Sequence, residues 1–485
     1  MTRGGLKILM VAAECAPLAK VGGLADVVGA LPKALLALGA EIKIILPFYG
    51  LIDQKKFPVR KLRDPVKVEI GPGMENFSLW EYTENKTGLI ILLIQHRYFN
   101  NKEIYRYGRI GTAKKHSRGA EDVKRFALFS LAALAATKSL GWRPNIIHCH
   151  DWHTALIPDY LKTIYKNDPF FKKTKTLYTI HNLANQGMVG PEIVGYTKLD
   201  PSLPIIKVDL KNGDVNFMVQ GILGADLINT VSPTYAKEIL THYEGAGLEK
   251  ILRLRRTKLS GIINGIDTAD FDPKTDPLIE SNYDIKTLSF KKNNKIKLQS
   301  GLGWKPDKGL VLVGLVSRLV WQKGFDLITE KLAELPCQFV ILGSGQPGIE
   351  NNLLNLAKKY PDKFFVKIGF DLKLAKMIYA GSDFFLMPSR FEPCGLSQLV
   401  AMRYGTVPIV RKTGGLSDTV TPKTGFLFKH YSRESLEKVL KLALDTYYKK
   451  PDKWLKLQRS CLKQDFSWSK SAKDYLKLYN KLIKG

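Results

Sequence analysis

Six short segments hold closely spaced residues of types that can do chemistry. Lys20-Val21-Gly22-Gly23-Leu24 sets a lysine and two glycines ahead of an amphipathic stretch, where backbone N–H groups and a helix dipole favour an anion. No Gly-Lys-Ser/Thr follows, so this is not a Walker-type loop; the same glycines also suit a turn needed only for helix-to-sheet packing. Arg318 and Lys323 stand five residues apart between a strand and the next helical pattern. They can converge on a departing diphosphate, whose growing charge fixed cations stabilise without a metal, or form a plain surface pair. Pro388 to Leu396, with Glu392, Cys394 and Gly395, follows another strand and fits either a grip on sugar hydroxyls and phosphate or an ordinary helix start. His148, His150, Asp151 and His153 follow a fourth strand, and His181-Asn182 a fifth. These histidines invite a metal reading, but His148 and His150 share one side of their strand, Cys149 takes the other, and spacing fixes no further ligand. Gly343-x-Gly345-x-x-Gly348, with Asp371 beyond the next strand, has dinucleotide spacing; Pro347 interrupts it, and a tight turn explains it equally.

The elements that must position these residues follow a repeated grammar. Ile8 to Ala13 is a continuous apolar run suited to a strand buried on both faces, followed by a glycine loop and a helical pattern over Ala25 to Leu38. Strands are expected at Glu41 to Pro47, Leu89 to Gln95, Asn145 to Cys149, Thr176 to Ile180 and Leu227 to Val231, with helices at Ala120 to Ser139 and Thr154 to Tyr165. The grammar restarts at Gly309: strand Leu310 to Val316, helix Gly324 to Leu335, strand Gln338 to Leu342, helix Ile349 to Lys359, strand Phe364 to Ile368, helix Lys373 to Ala380, strand Phe384 to Met387, helix Ser397 to Tyr404 and strand Val407 to Val410. Between the halves, Asn264 to Lys308 reads as basic and turn-rich, and Ser432 to Gly485 as helical with breaks at Pro451 and Asp465 to Trp468. The pattern predicts an α/β protein of two doubly wound domains facing a cleft, with ligands at the carboxyl ends of the strands. Domains are expected at 1–260 and 261–464, with a C-terminal helical segment at 465–485.

A chain of 485 residues with 45% apolar and 25% charged residues can fill two sizeable cores and is not a single small binding module, a disordered chain or a coiled coil. Lysine and arginine outnumber acidic residues 74 to 45, a formal +29, which favours anionic partners but does not choose among them. Runs such as Arg253, Arg255, Arg256 and Lys258, or Lys291, Lys292, Lys295 and Lys297, read as solvated faces rather than nucleic-acid tracks. Five scattered cysteines form no C-x-x-C pair and imply a reducing compartment. Glu14 cuts the first apolar run short of a signal-peptide core, and no stretch reaches membrane-span length. The expected compartment is the cytoplasm, or the plastid stroma for a plant or algal source.

Taken together, seven segments in order resemble the bacterial glycogen synthase and plant starch synthase family of glycosyltransferases. They are Lys20 to Asp26, His150-Asp151-Trp152-His153, Ile180-His181-Asn182-Leu183, Ile263-Asn264-Gly265-Ile266-Asp267, Ser317 to Gly324, Pro388 to Leu396, and Thr413-Gly414-Gly415-Leu416. The resemblance runs nearly end to end. It implies the GT-B architecture, with two Rossmann-like domains and a C-terminal helix crossing back to the first. It implies transfer of glucose, usually from ADP-glucose, to the non-reducing end of an α-1,4-glucan such as glycogen or starch, with retention at the anomeric carbon. Neither a metal nor a cofactor is expected, nor a nucleic-acid or membrane partner. UDP-glucose as donor, or a small acceptor as in sucrose-type enzymes, are the alternatives.

By the same resemblance Lys20, Arg318 and Lys323 would neutralise the diphosphate, with the Gly23 N–H donating to it. His181 and Asn264 would hold the donor glucose, Glu392, Cys394 and Gly395 would grip its hydroxyls, and Leu396, Ser397 and Phe370 would complete the donor site. Asp26 and Asp151 would lie on the acceptor side. The chain departs from the family pattern at Val21, often threonine; at Phe370, often tyrosine, which can stack on a base but not hydrogen-bond it; at Ser397, often threonine; and at Val400, where related enzymes carry a second glutamate.

Overall fold

The computed structural model describes residues 5–106 and 117–484. The chain forms two compact units. One holds the chain up to Val231, Ala236–Ile262 and the chain from Trp468 onward; the other holds Ser232–Tyr235 and Ile263–Ser467.

In the first unit the strands are β1 (Lys7–Val11), β2 (Glu41–Pro47), β3 (Arg60–Ile70), β4 (Gly73–Thr83), β5 (Ile90–Gln95), β6 (Ile146–His150), β7 (Lys175–Ile180), a short ladder of β8 (Met188–Val189) with β9 (Val215–Asn216), and then β10 (Leu227–Thr230) and β11 (Leu259–Gly261). The main sheet runs β11-β10-β7-β6-β1-β2-β5-β4-β3. It is parallel except around β4, which pairs antiparallel with both β3 and β5. Central strands such as β1 and β6 are almost wholly buried, as apolar strands covered by helices on both faces must be. At the edge, β3 carries Arg60, Lys61, Arg63 and Lys67 on a largely exposed strand, which discourages pairing with another chain. The last helix, Trp468–Lys484, buries Trp468, Ser471, Ala472, Tyr475, Tyr479 and Leu482. This three-to-four-residue repeat makes one apolar stripe, which packs against the helix Gly23–Ala37 and β7.

The second unit continues with β12 (Val311–Val316), β13 (Cys337–Gly343), β14 (Phe364–Ile368), β15 (Phe384–Met387), β16 (Val407–Arg411) and β17 (Phe426–Phe428). Their order, β14-β13-β12-β15-β16-β17, is all parallel and reverses direction between β12 and β15. That is the strand order of a dinucleotide-type sheet, whose crevice opens beyond the carboxyl ends of the two strands at the reversal. Among the described residues no helix is long and apolar enough to cross a membrane. All five cysteines are buried and free.

Three sequence expectations are corrected. The helix expected over Gly324 to Leu335 is two 3₁₀ turns, Phe325–Leu327 and Glu330–Glu334. The β-branched Ile328 and Thr329 take extended backbone between them, and Pro336 holds Leu335 extended at the end. The helix expected over Thr154 to Tyr165 shortens to Ile157–Lys162 behind a 3₁₀ turn. The basic stretch before β12 contains a helix, Lys291–Gly301, and two of its lysines are core residues rather than solvated ones. Lys291 and Lys295 lie one turn apart on the face packed against the helix Leu372–Gly381, while Lys292 and Lys297 on the same helix are exposed. Lys295 Nζ pairs with Asp383 Oδ2 at 2.7 Å. Lys291 Nζ donates to the carbonyl of Ala380 and to Thr406 Oγ1, both at 2.7 Å. Burial lowers the Lys291 ammonium to about 7, with the Asp383 charge opposing that fall.

A buried ion pair broken on one side leaves an uncompensated charge, which costs about 3–5 kcal/mol. Lys295→Ala is therefore expected to destabilise the second unit by about that amount, whereas Lys297→Ala on the exposed face stays within about 0.5 kcal/mol. Chemical denaturation of the two variants measures the difference; equal small effects would show that the pair adds nothing.

Candidate functional site

The first unit gathers its polar residues at the carboxyl ends of β1, β6 and β7. Beyond β1, the buried Glu14 carboxylate accepts from the Val21 and Gly22 amides at 2.6 and 2.8 Å and from the Tyr105 hydroxyl at 2.5 Å. The carboxylate thus shapes the lysine loop from beneath and takes two of its donors, leaving the Gly23 N–H at the first turn of the helix Gly23–Ala37. A β-carbon at Gly22 or Gly23 would meet nothing within 4 Å, so the protein's own packing does not require either glycine. Lys20 Nζ pairs with Asp26 Oδ1 at 2.6 Å on the exposed side of this turn.

Beyond β6, Asp151 sits at φ 54° and ψ −177°, a conformation that L side chains rarely adopt. Two contacts hold it there: its N–H donates to the Thr179 carbonyl at 2.9 Å, and its Oδ1 accepts from the His181 N–H at 2.7 Å. Burial raises the Asp151 carboxyl to about 7, opposed by the His181 and Asn182 amides and reinforced by the nearby Glu14 charge. His181 is half-buried at the end of β7, with Nε2 3.0 Å from Nδ1 of His150. Burial lowers His181 to about 3, so its ring is neutral. His148 contacts the Tyr479 hydroxyl and Thr179, and His153 stacks on Tyr105. Among the described residues no group of three His, Cys, Asp or Glu side chains is placed to hold a metal ion.

In the second unit the decisive loops follow β12 and β15, the two strands at the order reversal. Lys323 Nζ lies 2.6 Å from Glu392 Oε2, which also accepts from Ser389 Oγ at 3.0 Å. Glu392 is only 5% exposed. Arg318 is exposed on the same β12 loop. Glycines bring these loops together. A β-carbon on Gly324, at φ 74°, would collide with the Pro388 carbonyl; on Gly414 and Gly415 it would strike the Glu392 and Cys394 carbonyls. The Gly415 N–H donates to the Glu392 carbonyl at 3.0 Å. Asn264 and Cys394 are buried side by side, the Asn264 N–H facing the sulfur, and burial pushes the Cys394 thiol up to about 12. The Asn264 side-chain oxygen is buried without a partner. Gly395 stands at φ 72°, Leu396 caps the helix Ser397–Arg403, and Ser397 Oγ reaches the Val316 carbonyl at 3.3 Å. Phe370 lies beyond β14 and is 91% exposed.

Comparison with known proteins gives this arrangement a family. A model described as the starch synthase catalytic domain matches residues 7–254, and one described as glycosyl transferases group 1 matches residues 300–459. Glycogen synthase of Thermotoga maritima is 40% identical and that of Geotalea daltonii 43%, each alignment covering 99% of both chains. The chain belongs to the glycogen and starch synthase family. The solved catalytic domain of starch synthase IV from Arabidopsis thaliana, bound to ADP and acarbose, superposes with a TM-score of 0.89 at 35% identity, over 99% of this chain and all of that one. Sucrose-phosphate synthase from Thermosynechococcus elongatus, at 19% identity and a TM-score of 0.59 over 99% of each chain, shares the fold.

Within this family fold the structure gathers Lys20, Gly23, Asp26, Asp151 and His181 at strand ends of the first unit. It gathers Asn264, Arg318, Lys323, Glu392, Cys394, Gly395, Leu396 and Ser397 at those of the second, with Phe370 on an outlying loop. Two of the three glycines in the Gly343 to Gly348 spacing serve packing, while a β-carbon on Gly348 would meet nothing within 4 Å. A β-carbon on Gly343 or Gly345 would strike the carbonyl of Ser317 or Leu319, and the Gly345 N–H is taken by Glu350 at 2.6 Å. Sequence reasoning missed Glu14, Tyr105, Ser389 and Gln398. Gln398 Nε2 braces the Cys394 and Gly395 carbonyls at 3.1 and 2.9 Å. The motifs contain Ser389 and stop one residue short of Gln398, and Glu14 follows β1 directly; Tyr105 carried no sequence signal.

Asp151 makes stability depend on pH. Its folded value of about 7 exceeds the ordinary value near 4, so between those values the folded state holds a proton that the unfolded state releases. Its contribution is present below about pH 4, falls as pH rises to about 7 and is level above. Asp151→Asn keeps the acceptor oxygen without the charge. Thermal unfolding is expected to show this variant level with the parent near pH 4 and more stable by up to about 4 kcal/mol at pH 8, at about 1.4 kcal/mol per pKa unit. A difference that does not vary with pH would refute the assignment.

Proposed function

We propose that the protein elongates an α-1,4-glucan, glycogen or starch, by transferring glucose from ADP-glucose with retention at the anomeric carbon. The observation that carries this reading is the buried Lys323–Glu392 contact of 2.6 Å at the strand-order reversal of the second unit. A cation beside a carboxylate, in the crevice where such sheets take nucleotides, suits a ligand that is phosphate at one end and sugar at the other. ADP in the related starch synthase IV structure supports the adenine nucleotide. The exposed Phe370 ring offers a stacking surface for a base.

In this mechanism Arg318 and Lys323, with Lys20 and the Gly23 N–H, bind the diphosphate and stabilise the charge that grows on it as the bond to the anomeric carbon breaks. Glu392 accepts from glucose hydroxyls, aided by the backbone from Cys394 to Ser397. Neutral His181 and Asn264 orient the sugar, and Asp26 and Asp151 face the acceptor. The glucan 4-hydroxyl attacks from the side the phosphate leaves, its proton passing to the departing phosphate oxygen, so configuration is kept without a covalent enzyme adduct.

The test incubates the protein with glycogen and either ADP-glucose or UDP-glucose, without added metal, and follows polymer-bound glucose and released nucleotide. Glucose is expected to enter polymer faster from ADP-glucose, and Glu392→Ala to lower the rate by about 10²–10³-fold. Faster transfer from UDP-glucose would overturn the donor assignment. Nucleotide release without polymer growth would point to a small acceptor, and a glucosyl adduct on Glu392 or Asp151 would refute the same-side mechanism.

A further inference from the structure

Behind His181 lies a line of buried rings that the proposed mechanism does not use. His148 and His150 project from the same side of β6, with ring centroids 4.1 Å apart. His148 is held at both nitrogens, Nδ1 2.8 Å from the Tyr479 hydroxyl and Nε2 2.7 Å from Thr179 Oγ1. Tyr479 belongs to the last helix, where it is fully buried beside Tyr475. His150 has only one engaged ring nitrogen: Nδ1 meets His181 Nε2 at 3.0 Å, while its own Nε2 is buried without a partner. The other nitrogen of His181, Nδ1, has no partner among the described residues, and the residue is half-buried.

This arrangement determines where the protons sit. Burial lowers His148 and His181 to about 3 and His150 well below its ordinary value, so all three rings are neutral, and each carries one proton. Two neutral imidazoles joined nitrogen to nitrogen need one donor and one acceptor. If His150 carried its proton on Nε2, a buried N–H would be left with no acceptor. With the proton on Nδ1, only a lone pair is orphaned, which costs less. His150 Nδ1–H then donates, His181 Nε2 accepts, and the His181 proton is forced to Nδ1.

We propose that His150 is a positioning residue that fixes His181 as its Nδ1–H tautomer, so that His181 presents a hydrogen-bond donor to a hydroxyl of the transferred sugar. Tyr479 anchors His148, whose ring lies against that of His150 at an interplanar angle of 35°, so the last helix of the chain supports the geometry of a group at the end of β7. The tautomer follows from the contacts within the first unit; its role rests on the reading of His181 as a sugar-facing group.

Long-range proton–nitrogen correlation spectra of ¹⁵N-histidine-labelled protein, which has eight histidines, read the tautomer without reference to activity. His181 is expected to show a protonated Nδ1 and a bare Nε2 in the parent and in His150→Asn, whose amide nitrogen can occupy the position of Nδ1. In His150→Leu the two tautomers should mix. Donor kcat/KM should fall by about 10-fold or more in His150→Leu, the worth of one lost hydrogen bond, and recover to within about 3-fold in His150→Asn, with the glycogen KM unchanged. Tyr479→Phe, which removes only the hydroxyl, should fall between them. A parent His181 protonated on Nε2 overturns the proposal. So does full activity in His150→Leu, or a His150→Asn that folds as well as the parent yet is no better than His150→Leu. A parent that transfers no glucose would refute the functional reading while leaving the spectroscopic result standing.

Discussion

A parallel sheet covered by helices on both faces leaves its strand ends as the places where loops can bring polar groups together beside the core. β1 and β6 in the first unit and β12 and β15 in the second are buried nearly throughout. Each pair is adjacent in its sheet, and in the second unit the adjacency marks the reversal of strand order. Loops leaving such a pair turn away from each other, which opens a crevice with backbone donors on its walls. The buried strands determine where Glu14, Asp151, Lys323 and Glu392 stand; the loops determine only which residues occupy those positions.

Glycine serves two different needs at these strand ends. Gly324, Gly414 and Gly415 let one loop backbone lie directly against another, and any side chain there would displace the segment that carries Glu392. Gly343 and Gly345 do the same for the β12 and β13 loops, so packing explains two of the three glycines in the dinucleotide-like spacing, and Gly348 stands in open space. Gly22 and Gly23 have no neighbour to avoid and no positive φ to adopt. Identical in sequence, the two kinds separate only when the surrounding atoms are known.

The same distinction governs what was legible beforehand. Apolar runs bounded by glycine loops revealed most of the parallel strands of both units because burial on both faces leaves an unbroken signal in one dimension; β11 and β17, three residues each, are too short to leave one. The β3–β4 hairpin escaped notice because its exposed, charged edge strand carries no such run. The buried Lys291 and Lys295 escaped because a helical face one turn apart looks, in a basic stretch, like surface; the deciding fact is Asp383, 88 residues from Lys295 and beside it in space. Candidate residues within short motifs could be named from residue type and order. Glu14 and Tyr105 were not, because their meaning lies in a three-way contact between segments 91 residues apart. Gln398 acts on backbone carbonyls, and nothing in its own spacing announces that.

The region beyond β6 is stabilised less than its burial suggests. Asp151 combines an unfavourable backbone conformation with a carboxyl group that burial pushes up to about 7, and His150 and His153 each bury an unpartnered ring nitrogen. Each of these features opposes folding, and the surrounding contacts must offset them: the Thr179 carbonyl, the His181 and Asn182 amides, and the Tyr479 hydroxyl from the far end of the chain. A segment chosen for packing alone would replace Asp151 by a residue with ordinary φ and the histidines by apolar rings. Strain at Asp151 and two unpartnered ring nitrogens thus meet at the end of one strand, beside the candidate residue His181, and the contacts around them must offset all three.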